Sequence, residues 1–118
     1  MPLPRVHTID ELPVDRPMDL IERRRIVGER VMLSHVRLAK GFKVDSHHHE
    51  NEQLAIVVSG KIVFGLGDGS SVTLTAGQVL EIPSNEPHSA EALEDTLILD
   101  VFSPPSETTG VDVHKSPD

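Results

Sequence analysis

The chain is predicted to be an all-β domain, a sandwich or a barrel. Its 118 residues suit one domain with a single hydrophobic core. From Asp19 onward, short runs of β-forming residues alternate with Gly, Pro, Asn and Asp, and no segment shows a long helical period. Asp68-Gly69 is the strongest hairpin signal, because both residues tolerate positive φ. These observations together favour strands throughout the middle of the chain.

The sequence predicts an N-terminal arm (1–18), a barrel (19–103) and a flexible tail (104–118). Residues 1–17 carry four prolines, which favours an extended arm. The last residues are polar and rich in Pro, Ser and Thr, a composition typical of a loose tail. The nine predicted strands cover 19–27, 30–39, 42–48, 53–59, 61–66, 71–75, 78–82, 87–93 and 96–102.

Composition excludes several classes of function. The formal net charge is -8, so the chain repels phosphate backbones and nucleic acid is not an expected partner. The triplet Arg23-Arg24-Arg25 is interpreted as the solvated face of a strand, with a local anion site as the alternative. The chain has no cysteine, which excludes disulfides and thiolate metal sites. It shows no membrane-spanning run and no secretory pattern at its start, so we expect a cytoplasmic protein that does not bind membranes.

Three consecutive histidines lie inside the chain, in GFKVDSHHHENEQLAIVVSG. On a strand, His47 and His49 point to one side and His48 to the other. A straight strand would carry Gln53 about 13 Å beyond His49, so we expect a hairpin at residues 50–52 that folds Gln53 back beside the histidines. His88, on a later strand, is a fourth candidate. Three imidazoles and an amide oxygen suit one divalent Zn, Ni, Fe or Mn ion. Exposed polar histidines or a purification tag are the alternatives, although tags lie at chain ends.

The spacing of these residues resembles the first motif of the cupin family. Gly41, five residues, His47-x-His49, three residues, Gln53, six residues and Gly60 follow that pattern, with Gln53 at the position that usually holds Glu.

The second cupin motif is visible in GQVLEIPSNEPH, with Gly77, Pro83 and His88 in place. Asn85 stands where Gly is common, and Asn also accepts left-handed φ. Ala92 stands where Asn is common. The resemblance implies a double-stranded β-helix, or jelly-roll barrel, with the ion inside on the four candidate ligands. It also implies a homodimer, a common state of small cupins.

The last strand, TLILDVF, alternates Ile98, Asp100 and Phe102 against three aliphatic residues. If the first face lines the barrel, Asp100 is a partly desolvated general acid or base, and Phe102 is a wall of the site. The alternatives are an Asp on a solvated face and a Phe of the ordinary core. His35 and Arg37 share one face of strand 30–39 and are candidate substrate-binding residues. Arg37 could hold a carboxylate bidentately, although a lone strand Arg is more often at the surface.

The combination of two His, a Gln, a third His and the terminal LDVFSPP resembles the pectin-degradation type of cupin. That type opens or linearises unsaturated uronate sugars with a metal and an Asp–Phe pair, and Asp100 and Phe102 match the pair. The arginine that follows the Phe in that type is missing from residues 103–106.

Gln53 brings a neutral oxygen, so a bound divalent cation keeps its full charge and attracts anions. This favours Lewis-acid chemistry. The first hypothesis is therefore a metal-dependent enzyme that opens, isomerises or enolises a small, oxygenated, anionic metabolite. A metal-dependent dioxygenase of a small diketone or phenol is the second hypothesis. A non-catalytic binding or sensor module is the third.

Overall fold

A computed structural model describes residues 3–105 of the chain, and it confirms the all-β prediction. All nine predicted strands are found there, most of them with slightly shorter ends. The strands are β1 (Ile21–Val27), β2 (Met32–Leu38), β3 (Lys43–His47), β4 (Glu52–Ser59), β5 (Lys61–Leu66), β6 (Ser71–Thr75), β7 (Val79–Ile82), β8 (His88–Ala92) and β9 (Thr96–Ser103).

The strands form two antiparallel sheets that face each other. The five-stranded sheet has the order β1-β2-β9-β4-β7, and the four-stranded sheet has the order β3-β8-β5-β6. Their inner faces enclose a core of aliphatic and phenylalanine side chains that includes Phe42, Ile62, Phe64 and Ile98. Strands adjacent in sequence thus often lie in different sheets, which is the arrangement of a jelly-roll barrel.

The register of the five-stranded sheet arranges its inward side chains in rows across the strands. Each row lies about 7 Å from the next along the strand direction, since same-face residues are two apart. The rows are Gln53–Phe102–Met32, then Ala55–Asp100–Ser34–Arg25, then Val57–Ile98–Val36–Arg23. Polar and charged side chains therefore stand at several levels of an otherwise apolar interior.

The predicted hairpin between His49 and Gln53 is wrong. β3 pairs with β8 in the four-stranded sheet, whereas β4 pairs with β7 and β9 in the five-stranded sheet. Residues 48–51 therefore carry the chain from one sheet to the other. His49 lies in this connection, because β3 ends at His47. Gln53 does return to the neighbourhood of the histidines, as expected, but it does so because the chain crosses between the sheets and not through a hairpin.

At the predicted hairpin between β5 and β6, only one of the two expected residues has positive φ. Gly69 has a φ of 87°. Asp68 contributes its side chain instead: its Oδ1 accepts hydrogen bonds from the backbone N–H of Ser70, at 2.9 Å, and from the Ser70 hydroxyl. This local hydrogen bonding is the usual role of Asp in a turn.

The described part of the arm contains one 3-10 turn, Ile9–Glu11, and a β-bridge from Asp15 to Arg23. The division into arm, barrel and tail stays a prediction, and residues 106–118 of the predicted tail lie outside the described residues. Within residues 3–105, no helix has the length and hydrophobicity needed to cross a bilayer.

Candidate metal centre

Three histidines converge at one end of the barrel interior. His47 ends β3 and pairs in register with His88, the first residue of β8, while His49 follows in the connection to β4. Their ring centroids are 4.4 to 5.8 Å apart. One ligand nitrogen from each ring lies within 4.8 Å of the others. The exposed fractions of the three residues are 8%, 9% and 4%, so this cluster is screened from bulk water.

Backbone carbonyls fix the orientation of all three imidazoles. Each Nδ1 lies at hydrogen-bond distance from a carbonyl two residues away: Asp45 for His47 (2.8 Å), Asn51 for His49 (3.0 Å) and Glu86 for His88 (2.9 Å). A carbonyl only accepts, so in the neutral ring Nδ1 carries the proton and the Nε2 lone pair remains for a metal. Burial lowers the pKa of His88, which favours its neutral, metal-binding form.

Gln53 is the fourth neutral candidate ligand. It lies on β4 opposite Phe102 of β9, and its Nε2 donates to Asp100 Oδ1 at 2.9 Å. Because the carboxylate holds the amide nitrogen, the orientation of the amide oxygen is also fixed. Oε1 of Gln53 and Nε2 of His49 are buried without a hydrogen-bond partner among residues 3–105.

The four candidate ligands fit a metal ion. Buried acceptors without a donor are costly and rare in folded proteins, and a cation would satisfy both of them. Three imidazole nitrogens and an amide oxygen are the ligands that a first-row divalent transition ion accepts. His47, His49, His88 and Gln53 are therefore the residues that could hold such an ion.

Asn51 is a structural residue of the centre that the sequence reasoning missed. It is only 2% exposed. Its carbonyl accepts from His49, and its side-chain amide donates to the carbonyl of Pro104 after β9. It thereby ties the connection that carries His49 to the end of the last strand. The position of an Asn between two glutamates, in a predicted turn, is the one signal that pointed to such a role.

Asn85 links the two histidine motifs. Its φ is 63°, the left-handed conformation expected from its place in the second motif. Its backbone N–H donates to the carbonyl of His49 at 2.7 Å. The turn before His88 is thus hydrogen-bonded to the segment that carries His49.

Asp100 lies beside the metal centre, in the same cavity. Desolvation raises the pKa of its carboxyl group to about 6, against the opposing effects of the Gln53 hydrogen bond and the positive charge of Arg23. Ile98 and Phe102, its neighbours on the same face of β9, are 3% and 5% exposed. The face predicted to line the barrel does so, and Phe102 also packs edge-on against His49 at a centroid distance of 5.8 Å.

The cavity between the sheets has a volume of about 80 Å³. Typical small-molecule sites enclose roughly 300–1,000 Å³, so this one admits only a small molecule or one end of a larger one. Among the residues that line it are His47, Gln53, His88, Asp100 and Phe102.

Arg23 is a second functional candidate that the sequence reasoning did not single out. It lines the cavity and is 6% exposed, although its triplet was interpreted as solvated. Strand alternation explains the difference, since Arg23 shares a face of β1 with the buried Ile21. That apolar neighbour was the signal available in the sequence.

His35 and Arg37 do not line the cavity. The inward residues of β2 are those with even numbers, among them Ser34 and Val36, so His35 and Arg37 lie on the outer face. Arg37 borders a groove of about 740 Å³ outside the barrel, together with Arg16 and Asp95. His35 and Arg37 do share one face of the strand, as the sequence predicts, but that face is turned away from the cluster of His47, His49 and His88.

Comparison with known proteins identifies the family. Residues 34–102 match the family model described as a cupin domain. The chain belongs to the cupin family. This confirms the resemblance drawn from the two histidine motifs, and it accounts for the jelly-roll topology of the barrel.

Solved cupins superpose on most of the chain. KdgF from Halomonas sp. has a TM-score of 0.82 and 27% identity, over 89% of this chain and 97% of that one. An RmlC-like cupin from Shewanella frigidimarina has a TM-score of 0.81 and 22% identity, over 89% and 95%, and shows the fold alone. Nitrosourea synthase from Streptomyces achromogenes is 32% identical over 71 residues, which are 60% of this cupin and only 15% of the synthase.

Proposed function

We propose that this cupin is a metal-dependent enzyme that opens, isomerises or enolises a small, sugar-acid-like metabolite. The observation that carries the proposal is the position of Asp100: a half-buried carboxyl group in the same cavity as the histidine cluster, hydrogen-bonded to the candidate ligand Gln53. A proton-transfer group beside a Lewis-acid site is the arrangement that such reactions need.

The roles of the residues follow from their contacts. Four neutral ligands would leave the full charge of a divalent ion to polarise a carbonyl or hydroxyl oxygen. Asp100 Oδ would take a proton from the adjacent carbon or hydroxyl and return it, and its raised pKa suits exchange near neutral pH. Phe102 walls the cavity beside His49, where it would keep water from the reacting groups.

Two findings support the class of substrate. Asp100 and Phe102 match the Asp–Phe pair of the pectin-degradation cupins that the sequence resembles. The likeness to KdgF extends over 89% of this chain and 97% of that one, so it includes almost the whole of the KdgF barrel.

Turnover of an unsaturated uronate by metal-loaded Asp100→Asn tests the proposal. We expect a loss of about 10²–10⁴-fold in kcat, the usual contribution of a general acid or base, with unchanged metal content. Asp19→Asn, at an exposed position before β1, is the matched control and should retain full activity.

Full turnover by Asp100→Asn would remove the role assigned to that residue. Oxygen uptake by the iron-loaded wild type on a diketone or phenol, without uronate turnover, would identify a dioxygenase instead. Tight binding of a uronate that is recovered unchanged would identify a binding module.

A cytoplasmic homodimer also belongs to this proposal. The absence of cysteine fits a reducing compartment without requiring one. The outer face of the five-stranded sheet carries apolar side chains, of which Leu54 and Val79 are 39% and 52% exposed. Such a face is the surface we expect a second copy of the chain to cover.

A further inference from the structure

Small residues flank Asp100 in its row of inward side chains. Ser34 on β2 and Ala55 on β4 are its partners in register on the two neighbouring strands. The rows on either side contain larger side chains, among them Ile98 and Phe102. This difference in size leaves space beside the carboxyl group, and both Ser34 and Asp100 line the cavity between the sheets.

Ser34 is a buried polar residue of this cavity that the proposed reaction does not yet use. It is only 2% exposed. Within residues 3–105, its hydroxyl group forms no hydrogen bond to another residue. A hydroxyl group offers one donor and two acceptor positions, and a buried polar group that has no partner is costly and rare. The side chain of Ser34 is therefore available to a molecule that enters the cavity.

The carboxyl group of Asp100 has one oxygen engaged and one without a hydrogen bond. Oδ1 accepts from Nε2 of Gln53 at 2.9 Å. Oδ2 accepts no hydrogen bond from the described part of the chain, although the positive charge of Arg23 acts on the carboxyl group through space. Two polar groups that lack a hydrogen-bond partner thus lie in one row of the interior.

The two groups are direct cross-strand neighbours. Ser34 and Asp100 are partners in the register of β2 and β9, an arrangement that places Cβ atoms about 4.5–5.5 Å apart. Their side chains form no hydrogen bond with each other in the described structure. A hydroxyl group between them would donate to Asp100 Oδ2 and accept from the hydroxyl group of Ser34, so it would satisfy both. A methyl group in the same place would satisfy neither.

Gln53 connects this position to the histidine cluster. Its amide nitrogen contacts Asp100, and its amide oxygen is the candidate metal ligand. One amide group therefore separates the two places where a ligand could put an oxygen atom. The cavity of about 80 Å³ also limits the enclosed part of the ligand to a few atoms. Two oxygens on neighbouring carbons are the shortest arrangement that reaches both places.

We propose that Ser34 and Asp100 together bind a hydroxyl group on the carbon next to the one whose oxygen lies at the histidine cluster. The enclosed end of the substrate is then an α-hydroxy carbonyl or α-hydroxy acid group, and Ser34 is a specificity-determining residue. This inference rests on the proposed function for the role of Asp100, but it is tested by binding rather than by turnover.

Calorimetric titration of the zinc-loaded full chain with glycolate and with propionate tests the inference. The two acids match in charge and size, and a hydroxyl group in glycolate replaces a methyl group in propionate. We expect the wild type to prefer glycolate. Chelation by its two oxygens contributes to that preference in every variant, so the change on mutation is the decisive quantity. Ser34→Ala should reduce the preference about threefold to tenfold, the usual net effect of one hydrogen bond, and leave propionate binding unchanged.

Two larger substitutions separate the hydroxyl group from the shape of the side chain. Ser34→Thr and Ser34→Val match each other in size and differ in the hydroxyl group. Both add volume to the cavity and should weaken the binding of both acids, but only Ser34→Thr should keep the preference of the wild type. Ser71→Ala removes an exposed serine at the start of β6 and should bind both acids as the wild type does.

An unchanged preference in Ser34→Ala, an equal loss of affinity for both acids, or no binding of glycolate by the wild type would overturn the inference. Equal preferences in Ser34→Thr and Ser34→Val would overturn it as well. If the wild type turns over no uronate but shows a Ser34-dependent preference, the proposed reaction fails and the hydroxyl site stands. If it turns over a uronate and the preference does not depend on Ser34, the reaction stands and the hydroxyl site fails.

Discussion

The histidines of this cupin have very different environments, and strand alternation decides whether those on strands face the interior or the outside. His47 and His88 face the interior, whereas His35 faces outward from β2 toward the arm and the neighbouring arginines. All three are buried. Burial alone therefore does not distinguish these histidines; the convergence of the ring nitrogens of His47 and His88 with that of His49 does.

His35 should make the stability of the chain sensitive to mild acid. Desolvation lowers its pKa, the positive charges of Arg37 and Arg24 lower it further, and Asp10 acts weakly in the opposite direction. A histidine with a depressed folded-state pKa is protonated first in the unfolded chain, whose histidine pKa is about 6.5. Its contribution to stability is thus complete above about pH 6.5 and is lost as the pH falls through the lower folded-state pKa.

Urea unfolding of the wild type and of His35→Gln at pH 7.5 and pH 5 measures this contribution. The free energy of unfolding should fall between the two pH values by more in the wild type than in His35→Gln. Comparison of the two proteins cancels the contributions of the other histidines. An equal fall in both would show that His35 does not titrate differently on unfolding.

At the level of elements, the strands were predictable and the connections were less so. Runs such as TLILDVF carry β-branched and aromatic residues in alternation, so local sequence sets both their structure and their inward face. The path from His49 to Gln53 depends instead on which distant strands β3 and β4 pair with. No local pattern reports that pairing, which is why a hairpin was expected where the chain crosses between sheets.

Gly60, in the tight turn between β4 and β5, should tolerate substitution by Ala less well than Gly69, in the turn between β5 and β6. Gly60 has a φ of 95°, and a Cβ there would lie 2.6 Å from the Cα of Thr96. Gly69 has a similar φ of 87°, but a Cβ there would meet nothing within 4 Å. Gly69→Ala should cost about 1–2 kcal/mol for the left-handed conformation alone.

Gly60→Ala should cost about 2–5 kcal/mol, because backbone atoms must also move to relieve the overlap. Chemical denaturation of the two variants gives both values. Equal costs would mean that the turn yields without disturbing Asp95 and Thr96.

At the scale of the whole molecule, the topology gathers the centre from both sheets. His47 and His88 come from the four-stranded sheet, Gln53 and Asp100 from the five-stranded sheet, and His49 from the connection between them. The motif spacing was sufficient to predict that His47, His49 and His88 cluster. It could not reveal Arg23, because the place of an edge strand beside the cavity depends on how β1 pairs with β2.

The metal content of untagged protein tests the central claim, that four neutral side chains converge on one cation. After loading with a divalent transition ion and removal of the excess, elemental analysis should find one ion per chain in the wild type. It should find the same in His48→Ala, whose histidine is exposed beside the cluster, and almost none in His88→Ala. A wild type that retains no ion, or a His88→Ala variant that retains a full equivalent, would contradict the account.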